Sequence, residues 1–96
     1  MFNADILMKP MDSIPGGLQA RLMFGPELEL SIVQHDGSYG GDKGLYEIGV
    51  FKNNDMVEMP GITEPGDSVK GFLTEDEVGA IITKMMSITG SDPVEV

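Results

Sequence analysis

The chain has 96 residues, no cysteine, and sixteen acids against six bases, for a formal net charge of −10. Its length bounds it to one domain, and the missing cysteines exclude disulfides, thiolate metal sites and a cysteine nucleophile. So acidic a field disfavours direct binding to DNA, RNA or anionic lipid and favours a basic partner, the alternative being that the charge serves only solubility.

Residues 1–17 are weakly patterned and punctuated by Pro10, Pro15 and the pair Gly16–Gly17; they read as a short strand or as a mobile arm. Leu18–Phe24 alternates, with Leu18, Ala20, Leu22 and Phe24 on one side and Gln19, Arg21 and Met23 on the other, which predicts a half-buried strand. After Gly25 and Pro26 the stretch Glu27–Gln34 alternates again. Leu28, Leu30 and Ile32 point inward, Glu27, Glu29 and Ser31 point to water, and the two runs make a β-hairpin. The segment HDGSYGGDKG, residues 35–44, holds four glycines and is a loop that needs positive φ. Leu45–Phe51 is the third strand, with Tyr46, Ile48 and Val50 on one face. Asn53 and Asn54 then turn the chain, because Asn tolerates the left-handed region. Asp55–Met59 is the returning strand, Pro60 and Gly61 end it, and residues 62–70 form a loop carrying Glu64 and Asp67.

Thr74–Thr89 is a helix. Thr74 and Glu77 are spaced as a capping box, Leu73 and Val78 as a hydrophobic staple, and Glu75 and Asp76 sit in the first turn where the helix dipole favours them. Val78, Ile81, Ile82 and Met85 make an apolar stripe, with Ile88 at its end, and Gly90 stops the helix. The predicted architecture is α+β: a four-stranded antiparallel sheet of two hairpins, with one C-terminal amphipathic helix packed on one face. The domain spans residues 18–90, with 1–17 before it and a short acidic tail at 91–96.

Little in the chain resembles a catalytic or ligand-binding motif. His35 is the single histidine and stands beside Asp36, the pairing of a base oriented by a carboxylate, but Ser31, Ser38 and Ser68 lack a nucleophile-elbow context. His35 therefore reads as a solvated loop residue. The glycine-rich loop matches neither phosphate-binding spacing, Asp36, Asp42 and Glu47 do not alternate as calcium ligands do, and one histidine without cysteine makes a poor zinc site. Helix capping accounts for Glu75, Asp76 and Glu77. The expectation is a protein that is not an enzyme and carries no metal and no cofactor.

The remaining acids form the candidate binding face. Glu27 and Glu29 lie on the outer side of a strand, and Asp55, Glu58, Glu64 and Asp67 flank the second hairpin and the loop after it. Their expected counterpart is the Lys- and Arg-rich, DNA-binding surface of another protein; the bland alternative is a solvated polar surface. Four strands leave two open edges, and a homodimer is expected there. Met23, Phe51 and Met86, all outside the predicted core, would sit at its contact, and the two-fold would join two acidic faces. No stretch reaches the ~18–20 apolar residues of a bilayer span. Met1–Pro10, with Asp5 inside it and no basic start, does not read as a secretory signal, so the cytoplasm is the expected location.

The stretch ELELSIVQHDGSYGGDKGLYEIGVF, followed by DSVKGFLTEDEV, resembles small acidic proteins of tailed bacteriophages. In those, a strand ending in an SYGG-type loop leads into a GLYEIAV-type strand, and a D-x-V-x-G-[YF]-L-T-x-[ED]-E-V segment opens a helix. The similarity covers about residues 28–89, and Gly49 stands where that pattern often has alanine. The resemblance implies a phage origin and brings no activity with it. Small acidic phage proteins often block host machinery, several by presenting a DNA-like surface. The expectation is an inhibitor that occupies the DNA-binding surface of a host topoisomerase, nuclease or RNA polymerase. A structural or assembly adaptor of the virion is the alternative.

Overall fold

Each long alternating stretch becomes a long strand. In the computed structural model, which describes residues 2–96 and leaves Met1 outside, the elements in chain order are α1 (Ala4–Leu7), β1 (Lys9–Pro10), β2 (Leu18–Phe24), β3 (Leu28–Gln34), β4 (Tyr46–Lys52), β5 (Asp55–Met56), β6 (Val69–Leu73), α2 (Glu75–Thr89) and β7 (Pro93–Glu95). A short 3-10 turn at Gly41–Lys43 lies in the loop before β4. β2, β3 and β4 form the antiparallel spine of one sheet, in a register that sets Leu22 against Leu30 and Leu30 against Val50. The residues expected to point inward do so: Ala20, Leu22, Phe24, Leu30, Ile32, Ile48 and Val50 are all buried. They pack with the α2 stripe of Val78, Ile81, Ile82 and Met85, so the core lies between the helix and one face of the sheet. Each such Val, Leu, Ile, Phe or Met side chain contributes about 1.5–3 kcal/mol when fully buried.

Among the described residues the sheet has seven strands rather than four. The three beyond those four are β1, β6 and β7; β1 falls within residues 1–17, which read as a short strand or an arm, and all three come from segments with no usable alternation: two residues including a proline, five residues interrupted by Gly71, and three residues starting with Pro93. They form because β2 and β4 offer unpaired backbone groups, which must find partners when buried. β1 and β7 divide the outer edge of β2 between them, β1 along Leu18–Gln19 and β7 along Leu22–Phe24, and the Val96 N–H donates to the Arg21 carbonyl at 3.0 Å. β5 and β6 divide the edge of β4 in the same way, with the Val57 N–H on the Val50 carbonyl at 3.0 Å. The β2 edge that the four-strand expectation left open is therefore closed by the chain itself. What remains outermost is short and carries Lys9, Pro10, Lys70 and Pro93, residues that discourage further strand pairing.

Three smaller expectations change. The returning strand is Asp55–Met56, not Asp55–Met59, because the chain leaves the sheet and folds onto Thr63, whose buried hydroxyl accepts the Met59 N–H at 3.0 Å. Ser31 points to the outer face as expected but is buried, accepting a hydrogen bond from the Gln19 amide at 3.0 Å. Residues 2–17 hold α1 and β1, and they are tied to the body: Phe2 and Met8 are buried, the Phe2 ring meets Tyr46 edge-on at 5.6 Å, and the Ala4 N–H donates to the Glu75 carboxylate at 2.9 Å.

The helix keeps its predicted ends. Thr74 Oγ1 accepts the Glu77 N–H at 3.2 Å, and Glu77 Oε1 accepts the Thr74 N–H at 2.9 Å, while Leu73 and Val78 are both buried. Gly90 closes α2 at φ 68°, in the left-handed region that glycine enters without strain. Asn53 and Asn54 turn the chain at φ 50° and 71°. Among the described residues no helix is long and apolar enough to cross a membrane.

Candidate interaction surface

The six acids singled out from the sequence do not share one face. Glu29 lies on the outer face of β3, yet its side chain is only 12% exposed and is gripped by Arg21 at 2.7 Å and 2.9 Å. That hydrogen bond, reinforced by the charge of Glu29, raises the Arg21 pKa. Glu64 stands 4.0 Å from Lys70. Glu58 accepts the Gly66 N–H at 2.6 Å, and Asp67 accepts the Ser68 N–H at 2.7 Å, so both tie down the loop between β5 and β6. Glu27 and Asp55 are left at one tip of the sheet, drawn together by the Leu28–Lys52–Asp55 register and by the Asn53 N–H on the Glu27 carbonyl at 3.0 Å. Glu29 and Glu64 are the acids within 4.0 Å of a side-chain cation among the described residues, so most of the sixteen keep their field.

The three residues expected at a dimer contact do not share a face either. Register places Met23, Glu29 and Phe51 in one row across the outer face, extended by Val94 on one side and Met56 on the other. Met86 sits on α2, across the sheet from that row, and packs partly buried against the core.

At the opposite end from Glu27 and Asp55, the two parts of the phage-like pattern meet. The loop after β3 is wound on itself. The Ser38 hydroxyl donates to the His35 carbonyl at 2.8 Å and accepts the His35 N–H at 3.0 Å, and His35 Nδ1 accepts the Gly37 N–H at 3.0 Å. The imidazole thus organises the loop, and Asp36 makes no hydrogen bond to it. The wound loop delivers Tyr39 onto β6, where the Phe72 N–H donates to the Tyr39 carbonyl at 3.0 Å and the Tyr39 N–H donates to Glu47 Oε1 at 2.7 Å.

β6 is bulged at this point. Tyr46 pairs with Leu73 and Ile48 with Lys70, so Gly71 and Phe72 together oppose Glu47. Phe72 has φ +57°, which costs a bulky L-residue about 1–2 kcal/mol. The strain does not buy burial. Phe72 is 58% exposed, and its ring lies nearly parallel to that of Tyr39, itself 57% exposed, at 6.4 Å between centroids and 15° between planes. Lys43 holds its ammonium 5.9 Å from the Phe72 centroid. Glycine is required on both sides of the junction: a Cβ at Gly71 would overlap the Tyr39 side chain, and one at Gly40, already at φ +87°, would come 3.0 Å from Phe72 Cα.

Sequence reading missed this junction because its rings stand 33 positions apart in the chain and the bulge that joins them has no alternation to reveal it. The available signal was the pair of glycine-flanked aromatics, Tyr39-Gly40 and Gly71-Phe72, inside the phage-like pattern. The same end gathers acids that the candidate face omitted. Asp36, Asp42 and Glu47 belong to the loop and the start of β4, and α2 begins there with Glu75, Asp76 and Glu77. Hydrogen bonds from the Thr74 backbone and hydroxyl hold the Glu77 carboxyl below its ordinary range. Burial, with the charge of Glu75 second, pushes the Tyr46 hydroxyl up. Among the described residues no group of three or more His, Asp or Glu is placed to hold a metal ion. The surface at this end combines two exposed aromatic rings with carboxylates that have no side-chain cation within 4.0 Å among the described residues. No family model, curated protein or solved structure matches the chain.

Proposed function

We propose that the protein is a non-catalytic, phage-encoded inhibitor that works in the host cytoplasm by occupying the basic, DNA-binding surface of a host nucleic-acid-handling protein. The observation that carries this reading is the unneutralised acid surplus, spread over both ends of the sheet rather than confined to one tip. The scale is suitable. The body is 33 Å in its longest dimension, and a duplex carries one charge per ~1.7 Å of axis, so the stretch it replaces bears about twenty charges. The net charge of −10, summed over the whole surface, is about half of that. The phage-like pattern in the central segment supplies the host context. Capture of partners from bacterial lysate on the immobilised protein, followed by elution with duplex DNA or with salt, tests the proposal. A captured host protein that both duplex DNA and salt elute supports it, and one that DNA does not displace removes DNA mimicry.

A second reading rests on a different observation. The outer sheet face carries Val94, Met23, Phe51 and Met56 in one register row, interrupted by the Arg21-bound Glu29. Such a row suits a contact with a second copy or with a virion protein, and the acids then serve solubility. Many copies per purified particle would favour this role over an inhibitor made early in infection.

A further inference from the structure

From the junction of Tyr39 and Phe72 we infer an arginine-recognition element: a pair of aromatic faces, with Glu47 beside them, that receives a guanidinium of the basic partner. The inference rests on the proposed binding role and names the partner side chain that the surface selects. Its first support is the strained residue itself. Elsewhere the chain meets positive φ with residues that tolerate it, as at Gly40, Gly44, Asn53 and Asn54. At Phe72 it places a large ring instead and leaves that ring in water, 58% exposed. Neither backbone preference nor burial accounts for phenylalanine there; within the chain the ring stacks on Tyr39 and faces Lys43, and its outer side is left free for a partner.

The second support is the way the platform is held. Tyr39 is fixed on both sides of its α-carbon, by its N–H on Glu47 at 2.7 Å and by its carbonyl under the Phe72 N–H at 3.0 Å. Two glycines at which a Cβ would crowd the facing residue hold the loop against the bulge. Both rings are therefore presented on a fixed backbone, and little ordering remains to oppose binding.

The third support is charge. The Phe72 ring already faces a cation of its own chain, Lys43, at 5.9 Å, near the outer limit of about 6 Å for a cation–π contact. Glu47 accepts the Tyr39 backbone N–H at 2.7 Å, and Asp42 precedes Lys43 in the same loop. A stacked nucleobase would bring its phosphate into this acidic field, so the platform favours a cation over a nucleic acid. Among cations a guanidinium suits it better than an ammonium, being planar, weakly hydrated and able to stack on a ring while its edge pairs with a carboxylate.

Hexa-arginine and hexa-lysine peptides, equal in charge, separate the platform from the general acidic field. The wild-type chain should bind hexa-arginine about 2–5-fold more tightly than hexa-lysine at low salt. Phe72→Gly and Tyr39→Ala should bring the two peptides to parity with hexa-lysine affinity unchanged. Equal affinities in the wild type, or an arginine preference kept in both variants, would overturn the inference and leave the acidic binding role standing. Binding of neither peptide would overturn that role and this inference with it. NMR titration of the wild-type chain with hexa-arginine gives a readout independent of variant folding: the Tyr39 and Phe72 ring protons should shift more than other side-chain signals, and unmoved rings would overturn the inference.

Discussion

At position 72 glycine should be more stable than alanine, the reverse of the order in an ordinary strand. Phe72 lies in β6 at φ +57°. An L-residue with a Cβ spends about 1–2 kcal/mol in that region, and Phe72→Ala keeps the cost while Phe72→Gly removes it. Glycine gives back about 0.5–1 kcal/mol through the greater freedom of the unfolded chain. Both variants lose the same ring and the same stack on Tyr39, worth about 0.5–1.5 kcal/mol, so that loss cancels between them. The glycine variant should lead by about 0.5–1 kcal/mol. Urea unfolding with matched m-values resolves such a gap, and for a domain of this size it corresponds to several degrees in Tm. An alanine variant as stable as the glycine variant would refute strain at Phe72, and with it the first support for the arginine platform.

Gly79 lies within α2, where an added Cβ would sit 3.5 Å from the Phe2 nitrogen and 3.7 Å from its Cβ, ordinary contact distances, so Gly79→Ala should stabilise the protein by about 1 kcal/mol, seen as a raised Tm. Ile81→Asp puts a charge between helix and sheet at a cost of several kcal/mol, comparable to the whole stability of a small domain, and should abolish the dispersed NMR spectrum. Glu77 has its folded pKa lowered by Thr74, so its contribution is complete above the unfolded value of about 4.3 and is lost as pH falls through the lower folded value; acid titration of helicity should be flatter in Glu77→Gln. Removing residues 93–96 strips β7 from Leu22–Phe24 and exposes that edge, so light scattering should show more association in the truncated chain than in the full one at equal concentration.

Local rules carried much of this protein. Alternation over Leu18–Phe24, Glu27–Gln34 and Leu45–Phe51 was enough to identify the three spine strands and their buried faces, because a period of two with one apolar side allows one orientation. The capping box, the staple and Gly90 marked α2 to within a residue at each end, since capping is chemistry between near neighbours in sequence. The composition determined the charge, which is a sum and needs no fold. Tertiary structure decided where that charge stands. Glu29 is neutralised by Arg21, eight positions away in sequence, because the hairpin brings them to 2.7 Å, and Glu58 and Asp67, though exposed, accept backbone N–H groups of their own loop. It also decided the edges. β1, β6 and β7 are strands because β2 and β4 had backbone groups to satisfy, a demand made by the partner strand and absent from the segments themselves. The Tyr39–Phe72 junction is the extreme case: a loop wound on itself by His35 and Ser38 meets a bulge through the Phe72 N–H on the Tyr39 carbonyl, a pairing that no periodicity within either segment encodes.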